Sequence, residues 1–134
     1  MLMDRISRSK LTTLVYEAVR EVHQITGPGI IKEVFLSCLI QELRLRGIHF
    51  RHHARLQVQY KGIKIEEQLT VDLIVEDALI VEIVSRPELL ATHQEKLNTL
   101  LSFSGIDSGA LVSIFEEKII DGFKKFSHNK RLTK

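Results

Sequence analysis

Two short apolar runs, Val71-Asp72-Leu73-Ile74-Val75 and Val81-Glu82-Ile83-Val84, constrain this chain more than any other stretch. Both are rich in β-branched residues and are joined across the polar Glu76-Asp77, which predicts a pair of strands. Each carries one acid where a buried strand should have none. A carboxylate set among Val, Leu and Ile must be partnered, exposed at a strand end or bound to a metal, because an unpaired buried charge is too costly. Two such acids on neighbouring strands define a candidate site. If Asp72 faces Glu82 in an antiparallel pair, Val75 faces Leu79 and the connection is the three residues Glu76, Asp77 and Ala78. A strict two-residue turn would send the acids to opposite faces, so an odd loop or a bulge is expected.

At 134 residues the chain is long enough for one domain, 1–134, with a core that needs no disulfide. Its net charge of +2 argues little about partners, but the distribution is uneven. From Arg44 to Lys64 the bases Arg44, Arg46, Arg51, Arg55, Lys61 and Lys64 meet no acid, with His49, His52 and His53 among them. A second basic cluster is Lys124, Lys125, Lys130, Arg131 and Lys134. Such runs neutralise phosphates, or else form solvated faces. Cys38 has no partner for an intramolecular disulfide, and no apolar run approaches the ~20 residues of a membrane span. Met1-Leu2-Met3-Asp4-Arg5 lacks the apolar core of a signal peptide. The expectation is a cytoplasmic protein without membrane segments.

Taken in order, a helix is expected from about Lys10, capped by Ser9, with Leu11, Leu14, Val15, Ala18, Val22 and Ile25 as its apolar stripe. Thr26-Gly27-Pro28-Gly29 stops it. A second helix is expected from about Ile30 to Arg46, facing inward with Ile31, Val34, Phe35, Cys38, Leu39 and Leu43, and ending at Gly47. Alternation then replaces helical spacing. Leu56, Val58 and Tyr60 point one way and Gln57 and Gln59 the other, Lys61-Gly62 turns the chain into Ile63 to Ile65, and Leu69 to Val75 continues the meander. After the Glu82 strand and Pro87 comes a third helix striped by Leu90, His93, Leu97, Leu100, Leu101 and Ser104. Gly109 to Ile114 is a further strand, parallel to its neighbour because a helix connects them, and an irregular strand is expected near Ile119 or Phe123. Leu14, Ala18, Val22, Val34, Phe35, Leu39, Leu73, Val81, Ile83, Leu97, Leu101 and Val112 should be buried.

Several ordered landmarks resemble the GxxExxY proteins, small members of the PD-(D/E)XK nuclease superfamily. They are Glu21-Val22-His23, Gly27-Pro28-Gly29, Leu43-Arg44-x-Arg46-Gly47, Tyr60-Lys61-Gly62, Asp72-Leu73 and Val81-Glu82, within roughly residues 10–125. The resemblance implies an α/β restriction-endonuclease-like core, a mixed β-sheet flanked by helices. It also implies a Mg²⁺ site at Asp72 and Glu82, DNA or RNA as partner, and homodimers. The family's helix glutamate falls on Lys32 and its tyrosine on Phe35, while the lysine of its Glu-x-Lys motif falls on Val84 and a glutamine of the third helix on Lys96. Glu33 comes one residue late, about 100° round the helix.

These departures matter chemically. In such nucleases carboxylates hold Mg²⁺ against a phosphate and the ion acidifies the attacking water, while the lysine adds positive charge beside it. Loss of one such group costs about 10² to 10³ in rate. Two readings follow for the candidate catalytic residues Asp72, Glu82 and Lys96 with the pocket residues Lys32, Val84 and His93. Lys96 is a relocated catalytic lysine, or Lys32 and Lys96 neutralise the two acids in a retired site. Arg51, Arg55, Lys61 and Lys64 are candidate nucleic-acid contacts. The competing function is a protein-interaction subunit that uses the fold as a platform. His52-His53 is not expected to be a metal pair, since neighbours in a strand point to opposite faces.

Overall fold

The computed structural model describes residues 7–85 and 91–128. Helices α1 (Arg8–Thr26) and α2 (Lys32–Leu45) precede strands β1 (Phe50–Tyr60), β2 (Ile63–Val75) and β3 (Leu79–Val84). Helix α3 (Ala91–Ser104) and strands β4 (Ser108–Ser113) and β5 (Phe123–Ser127) follow, with a short 3-10 turn at Ile119–Asp121. The five strands lie in sequence order in one sheet. Only the β3–β4 pair is parallel, as expected for strands joined through a helix.

Helices cover both faces of the sheet. On one face, Val15, Ala18 and Val22 of α1 and Phe35, Leu39 and Leu43 of α2 pack over Leu73, Val75, Val81, Ile83 and Val112. On the other, Leu97, Leu100 and Leu101 of α3 pack over Ile74, Ile80, Val84 and Leu111. All six residues of β3 are buried, the pattern of a strand with no wet face. Gly109 lets α3 approach β4, because a Cβ there would stand 3.0 Å from the Leu97 side chain.

Several expectations change. The first cap is Ser7, whose hydroxyl accepts from the Lys10 amide at 3.2 Å, so α1 starts earlier than a Ser9 cap requires. The segments at Ile63 and Leu69 belong to one long strand rather than two. Tyr60 is exposed, because the β1–β2 register shifts between Gln57 and Gln59 and breaks the alternation. Leu14 is half-buried and Ile25 exposed. Pro87 and Leu90, and Lys130, Arg131 and Lys134, lie outside the described residues.

The larger correction concerns α2. Its buried face is Phe35, Leu36, Leu39, Ile40 and Leu43, while Val34 is 41% and Ile31 61% exposed. Two sets of apolar residues on this helix satisfy three-and-four spacing, and spacing alone does not say which one meets the sheet. Ile31 is extended (φ −74°, ψ 152°) and caps the helix rather than belonging to it.

The β2–β3 register is the one that faces the acids toward each other. Leu73 pairs with Val81, Ile74 with Ile80 and Val75 with Leu79, leaving Glu76, Asp77 and Ala78 as the loop. Glu76 and Asp77 both take left-handed backbone, φ 53° and 54°. The β1–β2 pair contains a second irregularity. His52 pairs with Leu73 and Ala54 with Val71, but the intervening step of His53 and Asp72 is unpaired, with His53 at φ 51°. On one side of this kink Leu73 and Val75 join the α1/α2 core, and on the other Val71 and Ala54 join the α3 core. Beyond the kink the two strands run on as an arm that ends at Lys61-Gly62.

Candidate functional site

The kink gives Asp72 its role. With the step to His53 unpaired, the Asp72 amide turns from β1 and donates to Glu82 Oε2 at 2.8 Å. In return, the Ile83 amide donates to Asp72 Oδ2 at 2.9 Å. Beyond the Leu73–Val81 pair, then, two carboxylates replace the backbone ladder and hold the parting strands together. Each of these bonds is charge-assisted and stronger than the backbone bond it replaces.

Both acids also meet a lysine. Lys32 Nζ, from the first turn of α2, lies 3.1 Å from Asp72 Oδ2. Lys96 Nζ, from α3, lies 3.5 Å from Glu82 Oε1. Glu82 is buried at 6% exposure, and its carboxyl is pushed above the usual glutamate range. Burial contributes most, followed by the charge of Asp72, and the Asp72 amide, Lys96 and Lys32 offset part of the rise. The Lys32 side chain is 31% exposed and that of Lys96 61%, so the Lys96 pair is the more strongly screened by water.

The pocket beside these groups, about 160 Å³, is lined by Lys32, Glu82, Val84, His93 and Lys96 with Ile83, Ser85 and Leu111. The sequence thus nominated Lys32, Glu82, Val84, His93 and Lys96 of this lining, while Ile83, Ser85 and Leu111 were not marked as site residues by type or spacing, and Asp72 joins the site through Lys32 rather than lining the pocket. Val84, in the alternate row that contains Glu82, is 5% exposed and belongs to the apolar cluster under α3. Glu33 lies on the outer side of α2, lining a groove with Val34, Ser37 and Cys38. It does not reach Asp72 or Glu82, where Lys32 does.

Whether this donor set fits Mg²⁺ follows from the same contacts. Asp72 Oδ2 and both oxygens of Glu82 each already take an amide or an ammonium. Mg²⁺ keeps several waters in octahedral array and binds through one or two carboxylates, so it would have to displace these donors and stand beside two ammonium groups. Among the described residues no set of three or more His, Cys, Asp and Glu side chains gathers to hold a metal. With the lysines in place, these residues do not fit the ion.

The remaining candidates divide. Arg51 pairs with Asp77 at 3.0 Å, at the loop end of β3 and away from the pocket. Arg55, Lys61 and Lys64 are exposed on the arm beyond the kink. His52 and His53 are not on opposite faces: the left-handed backbone of His53 swings its ring round, and the two Nδ1 atoms lie 3.1 Å apart. Lys124 and Lys125 are exposed on the edge strand β5.

Comparison with known proteins agrees with this architecture. A sequence model of the PD-(D/E)XK nuclease superfamily matches residues 9–126. The crystal structure of SSO0001 is similar with a TM-score of 0.55 at 16% identity, over 90% of this chain and 62% of that one. At that identity the likeness concerns the fold, and this chain spans less than two thirds of that protein's length. No curated protein matches the chain. No described helix is long and apolar enough to cross a membrane.

Proposed function

The chain belongs to the PD-(D/E)XK nuclease superfamily, and from that premise we propose that it is a cytoplasmic, nucleic-acid-related protein of the GxxExxY type, a single domain whose cutting site has been retired. The observation that carries this reading is the double ion pair, Lys32 with Asp72 and Lys96 with Glu82. PD-(D/E)XK nucleases commonly use Mg²⁺. Here two ammonium groups stand against the two carboxylates that would carry it. Asp72 and Glu82 then act as a clasp between β2 and β3, and Val84 fills apolar space where a charged side chain would have faced a phosphate. The arm with Arg55, Lys61 and Lys64 is the surface offered to DNA or RNA.

The relocated-lysine alternative asks Lys96 to sit free of the acids and meet a phosphate, directly or through one water. A Lys96 held by Glu82 argues against it. A non-catalytic interaction subunit is the second reading, favoured by the exposed apolar side chains of α2.

Calorimetric titration with Mg²⁺ and Mn²⁺ of the wild type, Asp72→Asn and the double variant Lys32→Glu/Val84→Lys tests the proposal. The expected result is heat only from the double variant. Metal binding by the wild type that Asp72→Asn removes would overturn the retired-site reading, and metal-dependent cleavage lost in Lys96→Ala would establish relocation instead.

A further inference from the structure

We propose that His52 and His53 form a two-imidazole site for a first-row divalent cation of the Ni²⁺, Cu²⁺ and Zn²⁺ class, at the step where the β1–β2 arm leaves the sheet. The site shares no side chain with the acid pocket, so it stands or falls apart from the retired-site reading.

Neighbours in a regular strand point to opposite faces. Here His53 takes left-handed backbone at φ 51°, and its ring comes round to the His52 ring, with centroids 5.3 Å apart and planes at 72°. The two Nδ1 atoms stand 3.1 Å apart. Two nitrogens that share one ion at about 2.0–2.1 Å are separated by about 2.9 to 3.4 Å, as the angle at the ion opens from square to tetrahedral. The observed spacing falls inside that window. Two neutral rings meet this closely when one Nδ1 carries a hydrogen and the other a lone pair. An ion takes the place of that hydrogen: both rings then carry theirs on Nε2, and rotation about the broad ring torsions aims both Nδ1 lone pairs at the metal. Both residues are exposed, which gives the ion and the waters that complete its shell a way in.

The donor set selects the ion. Both donors are neutral nitrogens, and among the described residues no third His, Cys, Asp or Glu joins them. Imidazole suits Zn²⁺, Cu²⁺ and Ni²⁺, whereas Mg²⁺, Ca²⁺ and Mn²⁺ prefer oxygen. Of the bases nearby, Arg51 is engaged by Asp77 and Arg44 lies over the Phe50 ring. With two protein ligands and water in the other positions, the ion is exchangeable rather than a permanent part of the fold. The site is also tied to the backbone. His53 lies at the unpaired step opposite Asp72, so the conformation that brings the rings together is the one that frees the Asp72 amide for Glu82. A bound ion fastens that kink.

Calorimetric titration of the full chain, free of any histidine tag, with Ni²⁺, Cu²⁺ and Zn²⁺ is the test, read beside the change that Ni²⁺ makes in backbone amide signals by NMR. Each ion should bind once per chain, Cu²⁺ most tightly, as the general order for nitrogen sites requires, while Mg²⁺ and Mn²⁺ give no heat. His52→Asn and His53→Asn should each weaken Ni²⁺ binding by about tenfold or more, since each leaves a single imidazole without its chelating neighbour. Asparagine also accepts left-handed backbone, so the kink is spared, and circular dichroism checks the fold. Glu82→Gln and Cys38→Ser should bind Ni²⁺ as the wild type does. The amides of residues 52 to 54 should respond first. A wild type that does not bind Ni²⁺ overturns the proposal. So does binding that survives both histidine variants, falls with Glu82→Gln, or centres on His49, His93 or His128 instead.

Discussion

The acid pocket and the β1–β2 arm use the same residue types for opposite ends. In the pocket Lys32 and Lys96 face Asp72 and Glu82 at 3.1 and 3.5 Å, and the cations are engaged within the fold. On the arm Arg55, Lys61 and Lys64 are exposed. Arg51, nearest to them in sequence, is engaged with Asp77. A count of basic residues does not separate these cases. What separates them is whether the backbone brings a carboxylate within reach, and the kink at His53 and Asp72 decides that by turning the Asp72 amide toward Glu82.

The largest expected effect comes from undoing the pocket side of this comparison. Lys32→Glu with Val84→Lys should bind Mg²⁺ with measurable heat, and the wild type should give none. If the double variant folds by circular dichroism yet stays silent in the calorimeter, Lys32 and Val84 are not what keeps the ion out of this pocket.

Asp72→Ala should cost stability, by roughly 1–3 kcal/mol, because the Ile83 amide loses its acceptor and Lys32 its partner. Lys96→Ala, at a 61% exposed side chain, should cost far less, within the ~0–1 kcal/mol of surface pairs. Urea unfolding of the two variants measures the difference. Equal losses would mean that the clasp does not depend on the backbone bonds.

On the arm, Arg55→Ala, Lys61→Ala and Lys64→Ala together should leave thermal stability nearly unchanged and flatten the salt dependence of DNA or RNA binding. Each phosphate contact removed lowers the slope by about 0.7 to 0.9. Fluorescence anisotropy at several salt concentrations reads the slope. An unchanged slope would take the arm out of the binding surface.

The smallest effect is a pH dependence. A glutamate raised in the folded state binds its proton more tightly there than in the unfolded chain. Stability therefore falls as pH rises from the ordinary glutamate value through the higher folded value of Glu82. Below that window the contribution is fully present. Glu82→Gln should remove this fall, so its stability relative to wild type should improve between mildly acidic and neutral pH. Denaturant midpoints across that range check the sign.

Much of this protein was legible without coordinates. The acids at 72 and 82 demanded partners because a strand of Val and Ile cannot bury a bare charge, and facing them fixed the register and the three-residue loop found at Glu76 to Ala78. The parallel β3–β4 pair followed from the intervening helix. The sequence also nominated Lys32, Val84, His93 and Lys96 for one pocket, through a resemblance that assigns positions without saying what the new residues do there. Tertiary structure decided the rest. Which apolar face of α2 turned inward was settled by its packing over the sheet, since both faces satisfy helical spacing. The meeting of the His52 and His53 rings depended on one left-handed residue, which no alternation pattern registers. And the pairing of Lys32 with Asp72 depended on strands and a helix distant in sequence ending at the same place, a fact of packing rather than of composition.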